Sequence, residues 1–312
     1  MAQRTYVTLS NRGLNHDILP MKLYQKAKKL GIWNPCDIDL TLDIEHWQHT
    51  PDVYKETLRC IIFDFQAGEE TVTLDLLPLV MTIAQEGRLE EELFLTTFLW
   101  EEAKHTEFIR RILDEVLQEH GDLHAYRALN AAHDLFSDDL PRDMNRLLTD
   151  PSPANQVRAS VTYNMIVEGV LAETGYYSLL RMLDLIENIL VETDDGPFSK
   201  MLASTNFMPG LRQGLRLFQR DESRHIAYGV FLISRLIAQD PSLWSIAEAH
   251  MKKHFASIES NQSQNGTSEA IRAYTRQQFQ KRLARLAQAR EQSLEQICQA
   301  DGGEGKKFLG SL

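Results

Sequence analysis

The chain has 312 residues, of which 43% are hydrophobic and 25% are charged, and this balance predicts a folded core and excludes intrinsic disorder. Its formal net charge of −11 excludes the basic surface that nucleic-acid binding needs. The three cysteines stand far apart and form no Cys-x-x-Cys motif, which excludes a four-cysteine zinc or iron–sulfur site. Any chemistry must therefore come from Glu, Asp, His or Tyr side chains.

Turn residues and helical periodicity divide the chain into an N-terminal arm and a series of helices. Residues 1–50 are predicted to form an irregular arm with a short helix around 21–30. From Asp52 onward, apolar residues recur at three- and four-residue steps, which is the spacing of one helix face. The predicted helices are 52–86 with a bend near Pro78, 88–117, 123–136, 142–148, 154–190, 198–207, 209–238, 242–256 and 268–298. No β pattern exceeds four residues, so the predicted fold class is all-α.

The sequence is predicted to lack a signal peptide and a membrane span. The N-terminus lacks an apolar stretch of signal-peptide length, and no apolar run approaches the ~20 residues of a membrane-spanning helix. These observations predict a cytoplasmic protein without a transmembrane segment. Residues 301–312 are predicted to be a mobile tail.

Two Glu-x-x-His pairs, Glu102 with His105 and Glu222 with His225, stand in the middle of predicted helices. Residues three apart share a helix face, so both side chains of a pair can reach one metal ion. Ion pairing on a solvated face is the alternative interpretation, and composition alone produces one or two such pairs. Apolar residues surround both pairs, however, and a buried charge is costly unless it is paired or metal-bound.

A lone glutamate in apolar surroundings precedes each pair on the previous long helix. These are Glu69 before the first pair and Glu168 before the second. Four carboxylates and two imidazoles in this order are the ligand set of a di-iron or di-manganese four-helix bundle. Carboxylate oxygen with imidazole suits iron and manganese better than zinc. Length alone favours about two domains, but both halves supply ligands to one site, so we predict a single domain.

The predicted architecture is therefore a ferritin-like four-helix bundle with additional flanking helices. Residues 51–240 form the metal-binding core bundle, residues 241–300 form the flanking helices, and residues 1–50 form the arm.

Five motifs give the chain a specific resemblance over residues 50–240. They are GEETV at 68–72, WEEAKH at 100–105, VTYN at 161–164, TGYY at 174–177 and RDESRH at 220–225. With them the chain resembles the ribonucleotide reductase small-subunit superfamily and, within it, the ligand-binding oxidases with a mixed manganese/iron site. The resemblance implies that the cofactor is Mn and Fe, that O₂ is activated, and that Asp221 orients a ligating imidazole. The metal ligands that it implies are Glu69, Glu102, His105, Glu168, Glu222 and His225.

The residue one helical turn after the first histidine separates two branches of this superfamily. Radical-storing small subunits carry a tyrosine there, whereas this chain has Ile109, which cannot hold a phenoxyl radical. The tail also has only one aromatic residue, Phe308, for passing a radical to a partner. A radical-generating reductase subunit is therefore the alternative, together with a metal-storage or metal-buffer bundle and a helical scaffold without metal.

The ligand-binding oxidases join a valine to a tyrosine by an ether bond, and this chain has both partners in Val72 and Tyr163. Val72 lies three residues after Glu69 and so faces the metals. Tyr163 lies five residues before Glu168, which turns it away from the site on an ideal helix, so a local π-type distortion is predicted. A core tyrosine with a satisfied hydroxyl is the alternative interpretation.

The same resemblance implies a long-chain fatty acid or similar lipid whose carboxylate sits on the metals. Ala172 and Tyr176 are the candidate ligand-pocket residues, with close helix packing as the alternative for Ala172. The chain departs from the family in a longer 178–217 segment and in Glu173, which we expect to be a rim or ion-paired residue. The protein is expected to be a homodimer.

Other clusters of His and Arg are predicted to be structural. His250 and His254 are expected on a solvated face, and Glu45, His46 and His49 are expected to stay unburied in the arm. The basic run 282–290 is expected to be solvated or to face a dimer partner.

Overall fold

The structure, a computed structural model, describes residues 6–121, 134–193 and 196–299, and within these ranges every regular element is a helix. The predicted helix 123–136 lies mostly outside the described residues, as does the predicted tail 301–312. Short 3₁₀ turns at Val7–Leu9, Pro35–Asp37, Arg146–Leu148 and Ala289–Glu291 and π turns at Ile112–Leu117 and Leu135–Asp139 connect or extend the helices. The first six helices are α1 (Leu19–Leu30), α2 (Thr41–His49), α3 (Asp52–Asp75), α4 (Leu77–Gln85), α5 (Leu89–Arg111) and α6 (Leu140–Asn145).

The second half begins with a long continuous helix, α7, which spans 153–193. It consists of an α-helical segment Pro153–Ser160, a π-helical segment Val161–Ala172 and a second α-helical segment Glu173–Thr193. The remaining helices are α8 (Pro197–Thr205), α9 (Pro209–Gln239), α10 (Leu243–Gln264), α11 (Glu269–Gln288) and α12 (Leu294–Gln299).

Four helices, α3, α5, α7 and α9, form the core bundle and confirm the predicted all-α architecture. Helix α3 packs along α5, α9 packs along the π segment of α7, and α9 also contacts α5. Helix α9 begins with Pro209 in its first turn, where the missing N–H of proline would have no intrahelical partner. The bundle brings one helix pair from each half of the chain to a common centre.

The predicted bend near Pro78 is a break between two helices. Helix α3 ends at Asp75, and α4 starts at Leu77 with Pro78 in its first turn. Proline lacks the N–H that a continuous helix would need at this point, so the chain starts a new helix instead.

The π-type distortion predicted around Tyr163 is confirmed by the π segment Val161–Ala172. Its residues from Val161 to Val170 are all buried. A π-helix has more residues per turn than an α-helix, so side chains five apart come onto one face. This places Tyr163 and Glu168 on the same side of α7.

The N-terminal arm is more ordered than the sequence predicted. It contains α2 in addition to the expected short helix, and α1 packs against α5 and α9. The expectation that His46 stays unburied was wrong, because its ring is fully buried and stacks on Phe207 at 5.7 Å between ring centroids. Its Nδ1 also accepts a hydrogen bond from the Met208 backbone N–H at 3.0 Å.

The flanking helices bury residues that the sequence placed on solvated faces. His254 on α10 is 2% exposed, so the prediction of a solvated face was wrong for it. Arg282 on α11 is also buried, and its Nε–H donates to the Gly169 carbonyl oxygen at 3.3 Å. The 178–217 segment includes the end of α7, the whole of α8 and the start of α9, and α8 packs against α7. None of the helices within the described ranges combines the length and apolar character that crossing a bilayer requires.

Candidate metal centre

Six side chains from the four core helices converge in two groups that share two carboxylates. Glu69, Glu102, His105 and Glu222 form one group, and Glu102, Glu168, Glu222 and His225 form the other. Within each group, one potential ligand atom per residue lies within 4.8 Å of the others. All six predicted metal ligands therefore meet at one place in the bundle.

The two imidazoles face the carboxylates through the same ring nitrogen. His105 Nδ1 lies 3.6 Å from Glu69 Oε2, Glu102 Oε2 and Glu222 Oε1. His225 Nδ1 lies 2.9 Å from Glu102 Oε1, 3.6 Å from Glu168 Oε1 and 3.5 Å from Glu222 Oε2. Each Glu-x-x-His pair lies along one helix face, so the three-residue spacing aims both of its side chains inward.

The donor atoms fit a pair of metal ions because many of them have no other partner. Among the described residues, no hydrogen bond reaches either carboxylate oxygen of Glu102, Glu168 Oε1, Glu222 Oε2, or the Nδ1 atoms of His105 and His225. A buried polar atom left without a partner costs about 1–3 kcal/mol, and more when it is charged. Six oxygen- and nitrogen-bearing side chains with these free atoms can hold two cations.

Burial shifts the pKa values of the carboxyl groups strongly. It raises the pKa of Glu69 to about 7 and, together with the neighbouring Glu222, holds that of Glu168 well above its ordinary range. The pKa of Glu102 falls to about 2, because the imidazoles of His105 and His225 outweigh the effect of burial. Divalent cations between the carboxylates would keep all of them ionised without protons.

The outward-facing nitrogen of each imidazole meets a carboxylate. His225 Nε2 lies at hydrogen-bond distance from Glu101 Oε2, 2.9 Å, and His105 Nε2 lies 3.5 Å from Oδ2 of Asp221, the residue for which the resemblance implies an orienting role. An N–H donated to such a carboxylate fixes the tautomer and leaves Nδ1 free to bind metal. Sequence reasoning missed Glu101, although it adjoins Glu102.

Two further side chains that the sequence did not single out anchor these carboxylates. Trp33 Nε1–H donates to Asp221 Oδ2 at 2.8 Å, and Arg224 binds both Asp221 and Glu101. Trp33 lies 188 residues from Asp221, so no local pattern could have paired them. Arg224 lies inside the second Glu-x-x-His motif, and that position is the one signal available in the sequence.

Aromatic rings fix the planes of the two imidazoles. His225 stacks on Phe98 at 3.6 Å between ring centroids, and His105 stacks on Phe218 at 4.0 Å. All four rings are fully buried. Each imidazole is thus held by an aromatic face and by a carboxylate, which limits its rotation before any metal binds.

Tyr163 and Val72 approach each other beside the carboxylates. The Tyr163 hydroxyl donates to the Val72 carbonyl oxygen at 2.9 Å, and both residues are buried. Burial and the nearby Glu102 hold the pKa of Tyr163 well above its ordinary range, so the phenol is neutral. Tyr176, a candidate pocket residue, directs its hydroxyl to Glu222 Oε1 at 3.3 Å.

A cavity of about 420 Å³ extends from the carboxylates, since Glu69, Glu168 and Glu222 line it together with Ala172. Its apolar lining includes Phe65, Val72, Leu135, Phe136, Val167, Leu171, Ile258 and Ile271. A cavity of this size lies within the range that holds small-molecule ligands.

Glu173 does not belong to either group of potential metal ligands. Its side chain is buried and lies 3.5 Å from the Tyr274 hydroxyl.

No family model matches the chain, but solved structures resemble it closely. An R2-like ligand-binding oxidase from Sulfolobus acidocaldarius is 34% identical, with a TM-score of 0.79, over 94% of this chain and 98% of that chain. A glycine-to-phenylalanine mutant of an R2-like ligand-binding oxidase, with an anaerobically reconstituted Mn/Fe cofactor, is 32% identical with a TM-score of 0.78. A glycine-to-leucine mutant with a non-activated Mn/Mn cofactor gives the same two values, and both mutants align over 91% of this chain and 98% of their own.

Proposed function

This chain belongs to the R2-like ligand-binding oxidases, oxidoreductases with a Mn/Fe cofactor, and on that premise we propose which of its residues hold the metals and what they do. The ligands are Glu69, Glu102, His105, Glu168, Glu222 and His225. The observation that carries this proposal is the pair of ligand groups with Glu102 and Glu222 in common, because shared carboxylates can bridge two ions. Glu101 orients His225 by accepting its outer N–H, and Asp221, whose carboxylate faces the outer nitrogen of His105, orients that imidazole.

The residues around the metal centre exclude water from the place where oxidation occurs. When bound, the Mn/Fe cofactor supplies the activation of O₂ and the two-electron oxidation of a C–H bond. The bundle buries the site, the two phenylalanine rings hold the imidazoles, and Tyr163 keeps its proton until it reacts. The chain's own task is therefore to position the reacting groups and exclude water.

The first C–H bond to be oxidised is that of the Val72 β-carbon, and the product is an ether between Tyr163 and Val72. The Tyr163 O–H bond and the Val72 Cβ–H bond break, one O–C bond forms, and O₂ accepts the two hydrogens with their two electrons. The 2.9 Å approach of the Tyr163 hydroxyl to the Val72 backbone supports this partner choice. The π segment supports it as well, because it turns Tyr163 toward the carboxylates.

Intact-mass spectrometry tests the cross-link. After aerobic loading with Mn and Fe, the wild-type chain should lose the mass of two hydrogens, and the Tyr163→Phe variant should not. Tyr228→Phe is the matched control, since Tyr228 is equally buried but bonds to Glu91, and it should lose the two hydrogens like the wild type. An unchanged mass in fully metallated wild-type protein would contradict the cross-link. It would leave the proposal about the metal ligands unaffected.

A long-chain fatty acid is the proposed ligand, with its carboxylate on the metals and its chain in the cavity. The carboxylate end of the cavity and its apolar walls support this assignment. Ala172 leaves room for the chain beside Glu168, so Ala172→Phe should abolish the lipid that solvent extraction and mass spectrometry recover from the purified protein. Ala270→Phe, at an exposed position on α11, is the control. Recovery of equal lipid from Ala172→Phe would refute this placement of the chain.

The reductase-subunit alternative is disfavoured by position 109. Ile109 is fully buried one turn after His105 and offers no phenol to store a radical.

We also propose a homodimer, for which the exposed apolar side chains Leu74, Leu77 and Met81 on α3 and α4 give a candidate contact surface. Light scattering should give twice the chain mass, and a monomer would refute the dimer.

A further inference from the structure

A third cluster of potential metal ligands lies outside the proposed dinuclear centre. Asp143 on α6 and His250 and His254 on α10 each offer one ligand atom, and these atoms lie within 4.8 Å of one another. Asp143 and His254 are buried, and the His250 side chain, which is 12% exposed, connects the cluster to solvent. None of these residues takes part in the oxidation described above.

The donor atoms of this cluster are arranged like the corners of a tetrahedron. Asp143 Oδ2 lies 2.8 Å from His250 Nε2 and 4.0 Å from His254 Nε2, and the two nitrogens are 3.1 Å apart. The Thr162 hydroxyl oxygen stands at the fourth corner, at 2.7 Å, 2.9 Å and 3.4 Å from these three atoms. Tetrahedral zinc with bonds of about 2.0–2.1 Å separates its ligands by about 3.3 Å.

The surroundings of His254 are those of a metal-binding histidine. Its Nε2 points into the cluster, while its Nδ1 faces Asp139 Oδ2 at 3.5 Å. A carboxylate beside one ring nitrogen favours the proton there and leaves the other nitrogen free for a metal.

The charges around the cluster allow a cation to enter. Arg142 and Lys253 face Asp139, and Arg142 also reaches Asp143 Oδ1 at 3.1 Å. Both basic side chains are more than half exposed, so water screens their charges. Asp143 Oδ2, on the inner side, remains directed at the two imidazoles.

We propose that Asp143, His250 and His254 form a zinc site, with Thr162 at the fourth position, that fastens α10 to α6 and to the π segment. Two imidazoles and a carboxylate are ligands that zinc accepts in tetrahedral sites. The site lies at the edge of the cavity, because Asp139 and His254 are both among its lining residues. A bound zinc ion would therefore stiffen one wall of the ligand cavity.

Metal counting on the loaded enzyme tests this site. Protein carrying Mn and Fe is incubated with zinc chloride, passed through a desalting column, and its three metals are measured by mass spectrometry. The wild type should retain one zinc per chain with its Mn and Fe unchanged. His254→Gln and Asp143→Asn should bind zinc roughly tenfold more weakly or worse and keep both other metals, and His16→Gln, at an exposed histidine, should behave as wild type.

X-ray absorption at the zinc edge of the wild-type protein supplies a readout that needs no variant. Two imidazoles and oxygen ligands at about 2.0–2.1 Å are expected. The proposal is overturned if the wild type retains no zinc, if zinc enters only by displacing Mn or Fe, or if His254→Gln retains zinc as tightly as wild type. None of these outcomes depends on whether Tyr163 and Val72 become joined.

Discussion

Helix α9 approaches the π segment closely at Gly229, and replacing this glycine with alanine probes how the bundle positions Glu168. A Cβ atom at Gly229 would lie 2.2 Å from the Asn164 Cβ and 2.6 Å from its Cγ. Ordinary contact begins near 3.4 Å, so the two segments must separate by about 1 Å. Asn164 donates a hydrogen bond to Glu168 Oε2 at 3.0 Å, and the new Cβ would break it by pushing the Asn164 side chain aside.

Three contributions determine how much Gly229→Ala changes the free energy of unfolding. Overpacking a buried contact costs about 1–3 kcal/mol. Loss of a hydrogen bond to a charged group costs about 1.5–3 kcal/mol. Alanine recovers about 1 kcal/mol of helix propensity relative to glycine. Gly229→Ala should therefore lower the free energy of unfolding by roughly 1.5–5 kcal/mol, in the opposite direction to its helix propensity.

Urea unfolding of the metal-loaded protein, followed by circular dichroism, measures this change. Gly68→Ala is the matched control, because a Cβ at this helical glycine would meet no atom closer than 3.9 Å. Propensity should then stabilise that variant by up to about 1 kcal/mol. If Gly229→Ala proved as stable as wild type or more so, the contact between α9 and Asn164 would not limit the helix spacing, and the reasoning would fail.

Two other perturbations concern side chains whose roles emerged only from the structure. Glu101→Gln should weaken metal binding roughly 10–100-fold, because Arg224 and His225 meet different oxygens of Glu101 and the amide replaces one of these oxygens with an NH₂ donor. A chelator-competition titration measures this, and unchanged affinity would contradict the role of Glu101. His254 has a pKa of about 4 in the folded protein against an ordinary 6.5, so its contribution to stability is present above pH 6.5 and is lost as the pH falls toward 4. In metal-free protein this loss is about 2 kcal/mol between pH 7 and pH 5, and urea unfolding should show a correspondingly shallower pH dependence for His254→Gln. Equal slopes for the two proteins would refute this assignment.

The ligand cluster was accessible to sequence reasoning because its signal is local. A Glu-x-x-His pair defines a helix face by itself, and apolar neighbours indicate that this face is buried. The five-residue step from Tyr163 to Glu168 likewise predicted the π segment, since no α-helix brings both onto one face. These inferences needed only the geometry of single helices.

Contacts between distant segments could not be predicted in this way. The bond from Trp33 to Asp221 joins an N-terminal residue to the centre of α9. The burial of His254 depends on Asp143 and Thr162, which come from two other helices. Arg282 lies in a basic run of the kind found on solvated helix faces. It is nevertheless buried, because Gly169 has no side chain and leaves its carbonyl oxygen accessible to the guanidinium group. In each case the decisive partner lies more than 90 residues away.

The two carboxylates common to both ligand groups have a thermodynamic consequence for metal selection. If Glu102 and Glu222 bridge the ions, the first ion fixes two of the three carboxylates that the second ion needs. Binding at one position then changes affinity at the other, and this linkage is reciprocal. The identity of the first ion thus biases the choice of the second. The preference for one Mn and one Fe over two like ions then depends on both positions together. The metal affinity of either position cannot be stated without naming the ion at the other.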